Sequence, residues 1–141
     1  MSVKLLRAAG AALALSALVL GAGSAQAADP TGEWVRPSGS SKIRIAPCGP
    51  ALCGNLIWVK EARNDVNNPD PAKRGNPLVG LQIVSGMKAS GKDSWKGKVY
   101  NAEDGKTYTG VMAMPSDDKL KLEGCVLGGL ICKGETWKRV K

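Results

Sequence analysis

The chain has 141 residues, of which 20 are Lys or Arg and 12 are Asp or Glu, for a net charge of +8, and it contains no His and no Phe. That length supports one small domain. Without an imidazole, Ser-His and Cys-His nucleophile pairs, His general bases and His-ligated metals are all excluded.

Residues 1–27 have the build of a secretory signal peptide. Lys4 and Arg7 precede an apolar run of small residues over 8–21, and Ala25-Gln26-Ala27 supplies the small-x-small cleavage pattern. The apolar run is too short for a transmembrane helix, which needs about 20 residues. No Cys stands at the cleavage site, so no lipid anchor is expected. The mature chain, residues 28–141, is expected to be periplasmic or secreted and not membrane-spanning. It keeps 18 basic and 12 acidic residues, a net charge of +6.

The mature chain reads as a succession of strands. The first is expected over 32–37. The second covers 41–47, where Ile43 and Ile45 share one face and Lys42 and Arg44 the other. Further strands are expected over 53–60, 79–85, 94–100, 106–114, 119–123 and 131–140. In 94–100 and 119–123 the same rule returns, apolar residues on one side and Lys on the other. Ser38-Gly39-Ser40, Asp104-Gly105, Ser116-Asp117-Asp118 and Gly128-Gly129 supply tight-turn chemistry between them. Nothing in the mature chain has helical period. Eight antiparallel strands in a meander remove their exposed edges most simply by closing into a barrel.

All four cysteines lie in the mature part, and an even count in an exported chain reads as two disulfides. A four-Cys zinc site normally wants tighter pairs than the C-x6-C found here, and the C-x-x-C of redox catalysis is absent. Four cysteines allow three connectivities. A two-residue loop at Gly128-Gly129 would set Cys125 opposite Cys132 on a hydrogen-bonded pair, and Cys48 and Cys53 flank a short loop, which favours Cys48–Cys53 and Cys125–Cys132.

Gly32-Glu33-Trp34 on the first strand and Trp137-Lys138-Arg139 on the last resemble the G-x-W and terminal Arg of lipocalin-type barrels, in which the Trp closes one barrel end beneath the Arg. Nearly the whole mature chain resembles the bacterial family called domain of unknown function 2147. The resemblance runs through Cys48-Gly49, Leu52-Cys53-Gly54, Asp65, Asn68-Pro69-Asp70, Leu78-Val79-Gly80-Leu81, Trp95 with Gly97, Asp104 to Tyr108, Leu120 to Gly124, and Thr136 to Arg139. It implies an exported, lipocalin-like β-barrel, gives Gly32, Trp34 and Trp137 structural roles, and carries over no catalytic residue. A full lipocalin is longer, and no helix candidate follows the last strand here. An eight-stranded barrel either is filled by its side chains or holds one small ligand.

Glu135, Trp137 and Arg139 share a face of the last strand, so charges inside the barrel must be paired or must meet a ligand, unless the strand end flares into water. The stretch 61–77 is the longest without strand period. Its Asp65, Asn67, Asn68 and Asp70 suit a lid held by side-chain-to-backbone hydrogen bonds better than a calcium loop, since the Gly and distal Glu of that pattern are missing. Asp65, Asn67, Asn68, Asp70, Glu135 and Arg139 are the candidate ligand contacts. The function expected is an envelope binding protein, not an enzyme, that takes a small apolar or amphipathic molecule at the barrel mouth and needs no cofactor or metal. The alternative is a solid barrel acting through its outer surface. The Lys-rich outer face could attract an anionic envelope component. Nucleic acid is disfavoured by export and by the scarcity of aromatics.

Overall fold

The computed structural model describes residues 10–17 and 28–141. The expected signal segment therefore lies mainly outside the described residues. Its described part, residues 10–17, is exposed and has no regular secondary structure.

Alternating side chains and glycine-rich turns produce eight antiparallel strands: β1 (Gly32–Val35), β2 (Ser41–Cys48), β3 (Ala51–Val59), β4 (Gln82–Gly91), β5 (Ser94–Asn101), β6 (Lys106–Ser116), β7 (Lys119–Val126) and β8 (Ile131–Arg139). Each pairs with the next, and β8 pairs back onto β1 to close a barrel. The β2–β3, β4–β5 and β6–β7 turns lie at one end with the entering segment 28–31. The other four connections, including the long one over 60–81, lie at the opposite end, the mouth.

β4 is where the sequence pattern and the fold differ most. The strand was expected over 79–85, yet it begins at Gln82 and continues to Gly91. A bulge between Ser85 and Lys88 shifts the register, with Gly86 at φ 60°. Val84 and Met87, three residues apart, consequently both face inward, and the period of two is lost to the eye. Residues 79–81 instead form the end of the long loop, hydrogen-bonded to Leu56 through Gly80 and Leu81.

The closed end is solid. Trp34 and Trp137, at 0% and 1% exposure, are the largest side chains of a core that also holds Ile43, Ile45, Met112 and Leu120. In a chain without Phe, these two rings supply most of the aromatic burial. The Arg139 guanidinium lies 4.3 Å from the centroid of the Trp34 ring. It also donates to the carbonyls of Asp29, Thr31 and Asp117 at 2.8, 2.8 and 2.7 Å. Gly32 makes that approach possible: its φ is +128°, and a Cβ there would sit 2.9 Å from Arg139 Nη1.

Cys48 is bonded to Cys53 at the closed end, and Cys125 to Cys132 near the mouth. Cys125 does face Cys132 across β7 and β8, but the connection is a four-residue loop, 127–130, rather than two residues. The longer loop changes the alternation, so the cysteines occupy a close, non-hydrogen-bonded pair with Cα atoms 4.1 Å apart rather than the wide pair expected.

Trp34→Ala is expected to cost about 3 to 5 kcal/mol in urea unfolding, as large aromatic deletions in cores do. Replacing both Cys125 and Cys132 by Ser should cost about 2 to 3 kcal/mol on the chain-entropy scale for so short a loop.

A cavity at the barrel mouth

Above Trp137 the barrel stops being solid. A cavity of about 940 Å³ opens toward the mouth, walled by Leu56, Val59, Ile83, Val99 and Leu122 with Leu78 of the long loop. Its size lies within the usual range for small-molecule sites, about 300 to 1,000 Å³. On β8 the period of two sends Ile131, Lys133, Glu135 and Trp137 into the cavity in turn. The rim beside them is apolar: Val126, Leu127, Leu130 and Ile131 are 41 to 86% exposed. A second hollow of about 500 Å³ lies at the opposite end, between the β2–β3 turn and Trp95, and Lys88 is its one charged lining residue.

Inside the cavity Glu135 is paired. Arg36, two residues beyond Trp34 and on the same side of the chain, donates to both carboxylate oxygens of Glu135, through Nε and through Nη2, the latter at 3.1 Å. Trp137 Nε1–H donates to the same carboxylate at 2.8 Å. Burial works against ionising Glu135, but the hydrogen bonds from Arg36 and Trp137 outweigh it and hold the carboxyl below its ordinary value. The hydrogen bond to Glu135 in turn raises the Arg36 guanidinium. The pair is charged at neutral pH and sums to zero. Ser41 also lines the cavity, is 5% exposed, and its hydroxyl has no protein partner.

The 61–77 stretch is a loop latched to the barrel from within itself. Asp65, 1% exposed, accepts from the Tyr100 hydroxyl and from Asn68 Nδ2, both at 2.8 Å. Asn67 Nδ2 donates to the carbonyls of Ala102 and Glu103 in the β5–β6 turn. Asp70 caps the 3-10 turn Pro71–Lys73 by accepting from Ala72 N–H.

The six residues expected to contact a ligand therefore do not converge. Glu135 lines the cavity. Asp65, Asn67, Asn68 and Asp70 are committed to hydrogen bonds within the loop, to Tyr100 and to the β5–β6 turn and are not in the cavity lining, and Arg139 stands at the closed end over Trp34. Most polar residues of the cavity, Arg36, Ser41, Tyr100 and Lys133 among them, were not singled out by the sequence. For Arg36 the signal was there: it follows Trp34 at a spacing of two in the first expected strand.

The family described as "Uncharacterized protein conserved in bacteria (DUF2147)" matches residues 32–139. No curated protein matches the chain. Among solved structures it is similar to protein HP1028 from the human pathogen Helicobacter pylori, described as belonging to the lipocalin family. The two are 27% identical with a TM-score of 0.73, over 81% of this chain and 84% of that one. The fold is accordingly a lipocalin-like barrel.

Tyr100 tests the loop latch. Burial, the hydrogen bond to Asp65 and the charge of Asp65 push its hydroxyl from 10 up to about 12. Because the folded value is raised, this contribution to stability is complete below pH 10 and is lost as pH rises toward 12. Tyrosinate absorbance should show the late titration in the native protein, and Asp65→Asn should bring it back toward 10. For Glu135 the sign is opposite: its contribution is present above the ordinary value of 4.5 and is lost as pH falls below it. Arg36→Met, which leaves burial unopposed by the ion pair, should raise the Glu135 carboxyl in an NMR titration.

Proposed function

We propose that this chain, which belongs to the DUF2147 family of bacterial proteins, is an exported binding protein of the cell envelope that holds one small apolar or amphipathic molecule inside the barrel mouth. The observation that carries the reading is the cavity of about 940 Å³, whose apolar wall residues are interspersed with polar ones and whose lining carries as many acidic as basic side chains. A barrel acting only through its outer surface has no need of such a space. The likeness to a protein described as a lipocalin supports the same reading, since eight-stranded barrels of that kind are able to hold one small ligand. Export is supported by the signal pattern of residues 1–27 and by two disulfides, which persist in oxidising compartments.

Binding rather than catalysis fits the chemistry of the lining. The Ser41 hydroxyl is hydrogen-bonded to no base that could activate it, and the Glu135 carboxylate is occupied by Arg36 and Trp137. The latched loop, with Leu78 against the cavity wall, forms one side of the entrance. The outer face of β4 and β5, with Lys88 directly opposite Lys96, is a separate basic surface suited to an anionic envelope component.

Two measurements test the reading. The exported protein should begin at Ala28, and material retaining Met1 would contradict export. The neutral fluorophore N-phenylnaphthylamine should bind with one-to-one stoichiometry and increased emission. Val99→Trp, which fills the cavity from its wall, should weaken that binding at least about tenfold while the barrel remains folded. Equal binding by the variant would place the fluorophore elsewhere and contradict the reading.

A further inference from the structure

The side of the cavity at the β1–β2 hairpin carries polar chemistry that folding alone does not call for. Ser41 begins β2 on its inward face, two residues before Ile43. A buried hydroxyl without a partner destabilises a fold, whereas Ala at the same position would not. Its neighbour across the β1–β2 hairpin is Arg36, whose backbone N–H donates to the Ser41 carbonyl at 3.2 Å. The Arg36 guanidinium gives two of its five N–H groups to Glu135 and keeps the others. Glu135 is already engaged by Arg36 and Trp137. This side of the cavity thus offers a free hydroxyl and spare guanidinium donors beside a neutral ion pair, facing the apolar wall residues and the exposed apolar rim of Val126 and Ile131.

Building on the ligand-binding reading above, we infer that the cavity selects amphipathic molecules with an uncharged hydroxyl- or amide-bearing head. That head seats at Ser41 and the Arg36–Glu135 pair, and the hydrocarbon tail runs toward Val126 and Ile131. An anionic head is disfavoured at this seat because the Arg36 guanidinium is already neutralised by Glu135, whose carboxylate would repel it, and because the other lining cations, Lys60, Arg63 and Lys133, are matched in number by Glu61, Glu103 and Asp104.

The test is competition at neutral pH between bound N-phenylnaphthylamine and two ligands of equal chain length, dodecanol and dodecanoate, on the exported protein. Dodecanol should displace the fluorophore at a concentration at least about tenfold lower. Ser41→Ala should weaken dodecanol about three- to tenfold, the loss of one hydrogen bond. The loss for dodecanol should exceed any change in fluorophore binding, with the unfolding midpoint equal or higher, a combination that a merely structural serine would not produce. Glu135→Gln, which frees the guanidinium, should shift the preference toward dodecanoate. Dodecanoate binding as well as dodecanol in the wild type, or Ser41→Ala leaving dodecanol unaffected, would overturn the inference while the cavity still binds the fluorophore. Failure of the fluorophore and both chains to bind would overturn the ligand-binding reading itself, and the inference with it.

Discussion

An eight-stranded sheet closes here through a first strand of only four residues, and everything above the seam depends on that closure holding. The β1–β8 ladder aligns just Trp34 with Arg139 and Val35 with Lys138, fewer pairs than any other ladder of the barrel and far fewer than the eight of β7–β8. What the ladder lacks, side chains supply. The Arg139 guanidinium covers the Trp34 ring and ties the entering segment and the β6–β7 turn to the end of β8, while Trp34 Nε1–H donates to the Pro30 carbonyl at 2.9 Å. Stacking of this kind contributes about 0.5 to 2 kcal/mol, and the charge-assisted hydrogen bonds add to it. Val140 N–H reaches the Glu33 carbonyl and extends the seam by one bond. Without these ties β1 and β8 would be open edges, with unpaired donors and acceptors presented to any passing strand.

Trp34 and Trp137 fill one end of the barrel and leave the other open, while Trp58 lies exposed beneath Lys42. Ile43 and Leu120 complete the closed half, and the cavity begins above Trp137. The mouth is held by different means. A disulfide pins β7 to β8 below an exposed apolar loop, and the Asp65–Tyr100–Asn68 cluster pins the long loop to β5. Between floor and rim, the Arg36–Glu135 pair sets two partly buried charges, 37% and 30% exposed, that cancel each other. Removing either one leaves the other partly desolvated without its partner.

Much of the barrel was legible in the chain because strands with one wet face carry a period of two. β2, β5 and β7 show it plainly, and the turn residues between strands marked most of the connections. β4 hid half its length because the bulge at Gly86 puts Val84 and Met87 on the same face three residues apart. The cavity was much less legible than the fold. The acidic and amide residues of the 61–77 loop drew attention as a polar cluster, yet their hydrogen bonds turn inward to the loop, to Tyr100 and to the β5–β6 turn. The pair that does line the cavity joins residues 99 positions apart, and only closure of β8 onto β1 brings Arg36 to Glu135. Ser41 shares the inward parity of Ile43 and Ile45, so its direction was legible, but its burial was not, since a serine at the start of a strand ordinarily reaches water.

The central claim is that the open half of this barrel holds a small molecule in its own compartment. Native mass spectrometry of protein purified after export, beside the Val99→Trp variant prepared in the same way, tests it most directly. The account predicts a wild-type population carrying one small molecule per chain and a variant at the bare protein mass. Bare protein in both samples, or the same added mass on both, would contradict it.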